Sequence, residues 1–274
     1  MKLATVRAAE GTRAVRVEAD RYVDLGFPDV RRLLEAPGWS VLAAADGPAL
    51  SLDTPLAAVV PEPGKVLCVG LNYRSHILEM GRDLPEHPTL FAKFADALIG
   101  AGDDIVAAPE SDMVDWEAEL VVVIGATVRR ADPATAAAAI AGFTVMNDVT
   151  MRDWQFRTRE WLQGKTFDST TPLGPVLVTP DELPGGTAPA CTISTTVNGD
   201  VMQSAETSDL LFTPVDLVQY ISTMITLRPG DVIATGTPSG VGHARSPQVF
   251  LKAGDKVVTE ISGIGRLENS VVSG

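Results

Sequence analysis

Asp115-Trp116-Glu117-Ala118-Glu119-Leu120-Val121-Val122-Val123-Ile124-Gly125 decides how this chain is read. Alternate residues of a strand share a face, so Asp115, Glu117 and Glu119 are expected to project together, with Trp116, Ala118 and Leu120 opposite. Val121 and Val123 continue the acidic face, which therefore enters a core within two residues. A D-x-E-x-E run alone is commonly a solvated strand face; this continuation weakens that reading. Carboxylates crowded at a core boundary repel one another unless a cation neutralises them. No cysteine or histidine is nearby, so the ligands would be all oxygen, which selects Mg²⁺ or Mn²⁺, with Ca²⁺ also accommodated, over zinc. Asp148 closes the apolar strand FTVMND. Alone it is a turn former; beside Glu117 and Glu119 it becomes the third candidate ligand.

Upstream, His76 and Glu79 of YRSHILEM stand three apart on one helical face. A surface ion pair explains that spacing, and so does a general-base dyad in which Glu79 orients His76 and raises its basicity. Downstream, Lys165 lies in QGKTFDSTTPLGP, and Arg152 and Gln155 follow Asp148. A lysine in a pocket would stabilise a developing oxyanion; the arginine and glutamine could bind a substrate carboxylate; solvent-facing roles compete for all three. His87, in a proline-flanked loop, and His243, in a glycine-rich segment, read as solvated.

The rest of the chain frames these segments. Residues 1–60 form a small accessory unit of short strands and one helix between Pro28 and Pro37, and PLAAVVPEPGK reads as a linker. The larger unit, residues 61–274, is strand-rich with a few helices and does not alternate strand and helix regularly, so the fold class is α+β. Asp132 and Pro133 open a helix over the alanine-rich run. Net charge is −13, which disfavours nucleic-acid and anionic-membrane partners. Cys68 and Cys191 sit in apolar runs and read as buried free thiols. Residues 1–25 lack a signal-peptide pattern and no run is long enough to span a membrane, so the cytoplasm is the expected compartment. Gly164-Lys165-Thr166 lacks the first glycine of a phosphate loop, because position 159 is Arg159. No zinc-peptidase, C-x-x-C or G-x-S-x-G pattern occurs.

As a set, GLNYRSHILEM, DWEAELVVVIG, MNDVTMRDWQ, GKTFDSTTPLGP, VNGDVMQSAETSDLLF and LRPGDVIATGTPSGVG resemble the fumarylacetoacetate hydrolase family in order and spacing. They cover about residues 69–242. The resemblance implies a mixed β-sandwich roll, assembled as a homodimer, in which Glu117, Glu119 and Asp148 hold Mg²⁺ or Mn²⁺. It makes His76 and Glu79 a water-activating dyad on a lid and Lys165 the active-site lysine. It also places Arg152 and Gln155 near the substrate and Thr237 at its carboxylate end. Asp115 precedes the family's Glu-x-Glu pair but is not counted as a ligand.

Family substrates are 2-oxo acids. The expected reaction is hydrolysis of a C–C bond in an acylpyruvate-like 2,4-dioxo acid of aromatic or sugar-acid catabolism: His76 and Glu79 activate water, Lys165 steadies the oxyanion, and pyruvate or a related 2-oxo acid leaves. The same enolate-stabilising site without a positioned water would decarboxylate or isomerise an oxaloacetate-like or ring-cleavage diacid. A non-catalytic protein that binds a metal or 2-oxo acid is the third reading.

Overall fold

The computed structural model describes residues 1–79 and 81–274. The strands are β1 (Lys2–Ala8), β2 (Gly11–Val17), β3 (Tyr22–Asp24), β4 (Ala49–Leu50), β5 (Val66–Gly70), β6 (Thr89–Lys93), β7 (Leu98–Ile99), β8 (Ile105–Ala107) and β9 (Val114–Asp115), then β10 (Ala118–Ile124), β11 (Ile140–Asn147), β12 (Thr150–Met151), β13 (Thr171–Val178), β14 (Thr192–Val197), β15 (Asp200–Glu206), β16 (Val232–Ala234), β17 (Lys256–Ile261) and β18 (Gly265–Ser273). Between them lie α1 (Val30–Glu35), α2 (Trp39–Ala43), α3 (Arg74–Glu79), α4 (Pro133–Ala138), α5 (Arg152–Gln155), α6 (Leu162–Lys165) and α7 (Pro214–Met224). The protein is thus strand-rich α+β.

An 11-stranded sheet runs β4-β3-β2-β1-β13-β11-β10-β16-β5-β6, with β7 added beside β13. Most pairs are antiparallel; β16 and β5 are parallel, so the sheet is mixed. A second, 5-stranded sheet, β15-β14-β17-β18-β8, packs against β10, β11 and β13. Central strand β10 is buried along its whole length, which is why its sequence is apolar on both faces after Glu119. Leu120, Val122 and Ile124 enter one core cluster, and Val121 and Val123 enter another on the opposite side.

Local chemistry sets the element ends. Asp132 accepts a hydrogen bond from the Thr135 amide and Pro133 occupies the first turn of α4. Helix α7 opens with a capping box between Thr213 and Asp216 and buries Leu217, Val218 and Ile221. Helix α1 starts at Val30, capped by Asp29, two residues beyond the expected Pro28.

Residues 1–60 continue the main sheet: β1 pairs with β13, Leu3 opposite Leu177. The stretch read as a linker is packed. Ala57, Ala58, Val59 and Val60 are buried, and the amides of Ala57 and Val59 bond to the carbonyls of Thr5 and Leu173. Prolines here shape a tight crossing between elements. Cys68 and Cys191 are buried and free, as their surroundings implied. No helix among the described residues is long and apolar enough to cross a membrane.

Candidate active site

Glu117 immediately precedes β10, Glu119 is its second residue, and Asp148 follows the end of its antiparallel neighbour β11. That pairing brings the three carboxylates together: one oxygen from each lies within 4.8 Å of those from the other two. All three side chains are buried. Three cations surround them. Lys165 Nζ is 2.8 Å from both Glu117 Oε2 and Asp148 Oδ2, and Arg152 is 2.7 Å from Glu117 Oε1. Lys93 Nζ donates to Asp148 Oδ1 at 2.7 Å and to the Val149 carbonyl.

Asp115 departs from the alternation expected of a continuous strand. The chain leaves β9 after Asp115 and enters β10 only at Ala118, and Asp115 lies outside the cluster formed by Glu117, Glu119 and Asp148. Its Oδ1 accepts from the amides of Trp116 and Gly242; its Oδ2 accepts from the His243 amide and from Arg152 Nε. A carboxylate holding four donors has no free lone pair facing a metal. It serves to fix Arg152 and the 242–243 loop.

Buried charge is unevenly compensated. Burial, then the adjacent Asp148 and Glu117 charges, push the Glu119 carboxyl well above its usual range, against the opposing Lys165 and Gly236 amide. At Asp148 burial is outweighed by Lys165 and Lys93, and its carboxyl is held low. Burial opposes the Lys165 ammonium too, but Asp148 and Glu117 hold it protonated. A desolvated, all-oxygen set with one carboxylate still lacking a full counter-charge fits a hard divalent cation.

A cleft of about 390 Å³ opens over this cluster. His76, Glu117, Glu119, Arg152, Gln155, Lys165 and Thr237 line it, along with Phe91, Phe156, Trp161, Arg82 and His243. Asp148 lies behind the wall. Helices α5 and α6 deliver Arg152, Gln155 and Lys165, and they approach closely because position 164 is glycine: a Cβ there would stand 2.5 Å from the Gln155 amide and the Met151 carbonyl. Gly236, at φ +105°, donates its amide to Glu119 Oε2 at 2.8 Å. This positive φ suits glycine alone.

His76 and Glu79 occupy different surroundings. His76 is half-buried at the cleft, whereas Glu79 is exposed and reaches only an adjoining side pocket of about 270 Å³ that His76 also lines. The two make no hydrogen bond to each other among the described residues. Burial holds the His76 imidazole below its ordinary value, against the nearby Glu79 and Glu117 charges. Arg152 is already engaged: Nε holds Asp115, and the Nη1 nitrogen holds both Glu117 and the Gln155 side-chain carbonyl. The sequence context offers Arg152 as a binder of a substrate carboxylate; here its Nε and Nη1 organise the protein's own side chains.

Three residues escaped the sequence reading. Lys93 ends β6, and a lysine closing an apolar strand was its local signal. Gln203 of β15 is buried; it accepts from the Ala118 amide and donates 2.8 Å to Thr237 Oγ1, so the Thr237 proton is left for a ligand. His243 lines the cleft and is not simply solvated. His87, by contrast, is largely exposed beside Tyr220.

The sequence matches the family described as Fumarylacetoacetate (FAA) hydrolase C-terminal over residues 65–272. It is 48% identical over 219 residues to the Bos taurus protein named oxaloacetate tautomerase FAHD2A, mitochondrial, covering 78% of this chain and 68% of that one. The fold superposes with a TM-score of 0.83 on 5-carboxymethyl-2-hydroxymuconate delta-isomerase from Mycobacterium smegmatis, at 33% identity and covering 100% of both chains. It superposes at 0.81 and 27% identity, again over 100% of both, on maleylpyruvate hydrolase from Sphingobium sp. SYK-6, a structure containing manganese(II) and pyruvate. With its carboxylate cluster, cleft and sheet order, this chain belongs to the fumarylacetoacetate hydrolase family of enzymes.

Proposed function

We propose that the protein is an isomerase that interconverts the enol and keto forms of an oxaloacetate-like 2-oxo diacid with a divalent metal, Mg²⁺ or Mn²⁺, as cofactor. The observation that carries this reading is His76 facing the carboxylate cluster across the cleft, unpaired with Glu79. Tautomerisation moves one proton from the enol oxygen to the neighbouring carbon and consumes no water. A lone imidazole kept neutral by burial suits that step. The similarity to named oxaloacetate tautomerases supports the same choice over the hydrolysis expected from sequence.

Glu117, Glu119 and Asp148 would hold the cation, which when bound supplies an electrophile that favours the enolate form of the 2-oxo acid. His76 takes up and returns the migrating proton at the cleft face of the substrate. The Lys165 ammonium, fixed between Glu117 and Asp148, stabilises negative charge gathering beside it. Thr237, its oxygen already accepting from Gln203, donates to the substrate carboxylate. Phe91 and Trp161 give the cleft an apolar wall that limits water.

Hydrolysis of an acylpyruvate-like acid is the second reading, favoured by the side pocket shared by His76 and Glu79, where a water could be held between them. Following enol-oxaloacetate by ultraviolet absorbance, and an acylpyruvate by NMR, each with Mg²⁺ and with EDTA, separates the readings. Metal-dependent loss of the enol signal without fragments is expected. Pyruvate plus a second acid from the acylpyruvate, with the enol signal decaying at the uncatalysed rate, would replace isomerase by hydrolase. We also propose a homodimer, checked by light scattering, and a cytoplasmic location, checked by cell fractionation.

A further inference from the structure

The polar groups of the cleft are joined by a chain of contacts. Thr237 follows Gly236, whose amide holds Glu119; Glu117 is next; Arg152 joins Glu117 to Asp115; Asp115 holds the backbone of His243. Thr237, Glu117, Glu119 and His243 all line this one cleft, so a 2-oxo acid whose carboxylate meets Thr237 and whose oxo group lies over the cluster has His243 among the groups available to its far end.

His243 is built as a hydrogen-bond donor. Its amide is held by Asp115 Oδ2 at 2.9 Å, and its ring packs against Phe156 with centroids 5.0 Å apart. The side-chain nitrogen of Gln248 contacts both the His243 carbonyl oxygen, at 2.9 Å, and the ring Nδ1, at 3.1 Å. A carbonyl oxygen can only accept, so this Gln248 atom is the amide nitrogen, and Nδ1 accepts its second proton. The ring proton of the neutral imidazole is thereby assigned to Nε2. Arg82 also lines the cleft and adds positive charge, while Nε and Nη1 of Arg152 are held by the protein's own side chains.

We propose that His243 is a specificity-determining residue that donates its Nε2–H to a second carboxylate at the far end of the substrate, so that the cleft selects 2-oxo diacids over 2-oxo acids with an uncharged far end. This rests on the tautomerase reading above. A hydrogen bond to a charged group spans about 10- to 100-fold in affinity.

The test compares the enols of oxaloacetate and phenylpyruvate, wild type against His243→Leu and Gln248→Leu, with kcat and KM determined separately. His243→Leu is expected to lower the ratio of kcat/KM for oxaloacetate over that for phenylpyruvate by about 10- to 100-fold, the loss carried by KM. Gln248→Leu, which frees the ring tautomer from outside the cleft, should lower the same ratio by a smaller factor. If His243→Leu depresses both substrates equally, or leaves the ratio intact, the proposal fails. Should His243→Leu not fold, an unchanged ratio in Gln248→Leu overturns it alone. A wild-type enzyme that tautomerises neither enol overturns the underlying reading instead.

Discussion

Lys93 Nζ lies 2.7 Å from Asp148 Oδ1, with neither side chain exposed to solvent. The ion pair ties the end of β6 to the segment after β11, on the far side of Asp148 from Lys165. Removing one member of a buried pair strands the other. In metal-free protein, Lys93→Met is expected to cost about 3 kcal/mol of stability by urea unfolding. It should also weaken Mn²⁺ binding about 10- to 100-fold by calorimetry, because Asp148 loses the partner that orients it. Wild-type stability and affinity in Lys93→Met would remove Lys93 from the metal-site support.

Divalent metal should stabilise the folded protein through Glu117, Glu119 and Asp148. A ligand at a hundredfold excess over its Kd adds about 2.7 kcal/mol, or about 5 °C in Tm for a chain of this size. Mg²⁺ and Mn²⁺ are expected to raise Tm by that order in a thermal-shift assay. Glu119→Gln and Asp148→Asn should abolish the increase. Equal metal shifts in these variants would place the binding site elsewhere.

In the proposed reaction His76 acts as the neutral base, and burial holds its pKa below the ordinary value of 6.5. Activity should therefore persist below that pH, and the acid limb of kcat/KM should be centred under it. Glu79 acts in the opposite direction, raising the imidazole. Glu79→Gln is thus expected to move the acid limb to lower pH. A limb that stays fixed would mean that Glu79 does not act on His76.

Gly70 sits under the ring of Trp161, and a methyl group there would overlap it. Trp161 packs edge-on against Phe91, with centroids 5.3 Å apart, and Lys165 Nζ stands 5.0 Å over the Phe91 ring. Gly70→Ala should shift this stack and lower kcat/KM about 10- to 100-fold, the sensitivity expected of misplaced catalytic groups. A changed tryptophan emission spectrum would report the displaced ring. Full activity with wild-type emission would show that the stack does not position Lys165.

Local sequence was legible wherever the determinant was itself local. The β10 apolar run, the Asp132-Pro133 helix start and the pairing of Glu117 with Glu119 all follow from spacing. Asp148 could be joined to them because a hairpin-like neighbour, β11, ends beside it. Contacts made by sheet order were invisible: Lys93 reaches Asp148 because β6 occupies the sheet edge beyond β5 and β16. Gln203 likewise reaches Thr237 from the second sheet, and nothing in VMQSAE points to that partner. Asp115 was misread because alternation assumes an unbroken strand, whereas the chain changes sheets between Asp115 and Ala118. His243 looked solvated in a glycine-rich loop because its anchors, Asp115 and Phe156, are distant in sequence.

The pairing of β10 with β16 has a consequence for assembly on the ribosome. The Gly236 amide that shields Glu119 is synthesised 117 residues after the carboxylate it protects. Glu119 must therefore wait for this amide while a further 117 residues emerge. Such a non-local architecture closes late, and the reacting centre is among its last parts to acquire native surroundings. A nascent chain halted before Val232 should carry β10 and β11 without a competent site.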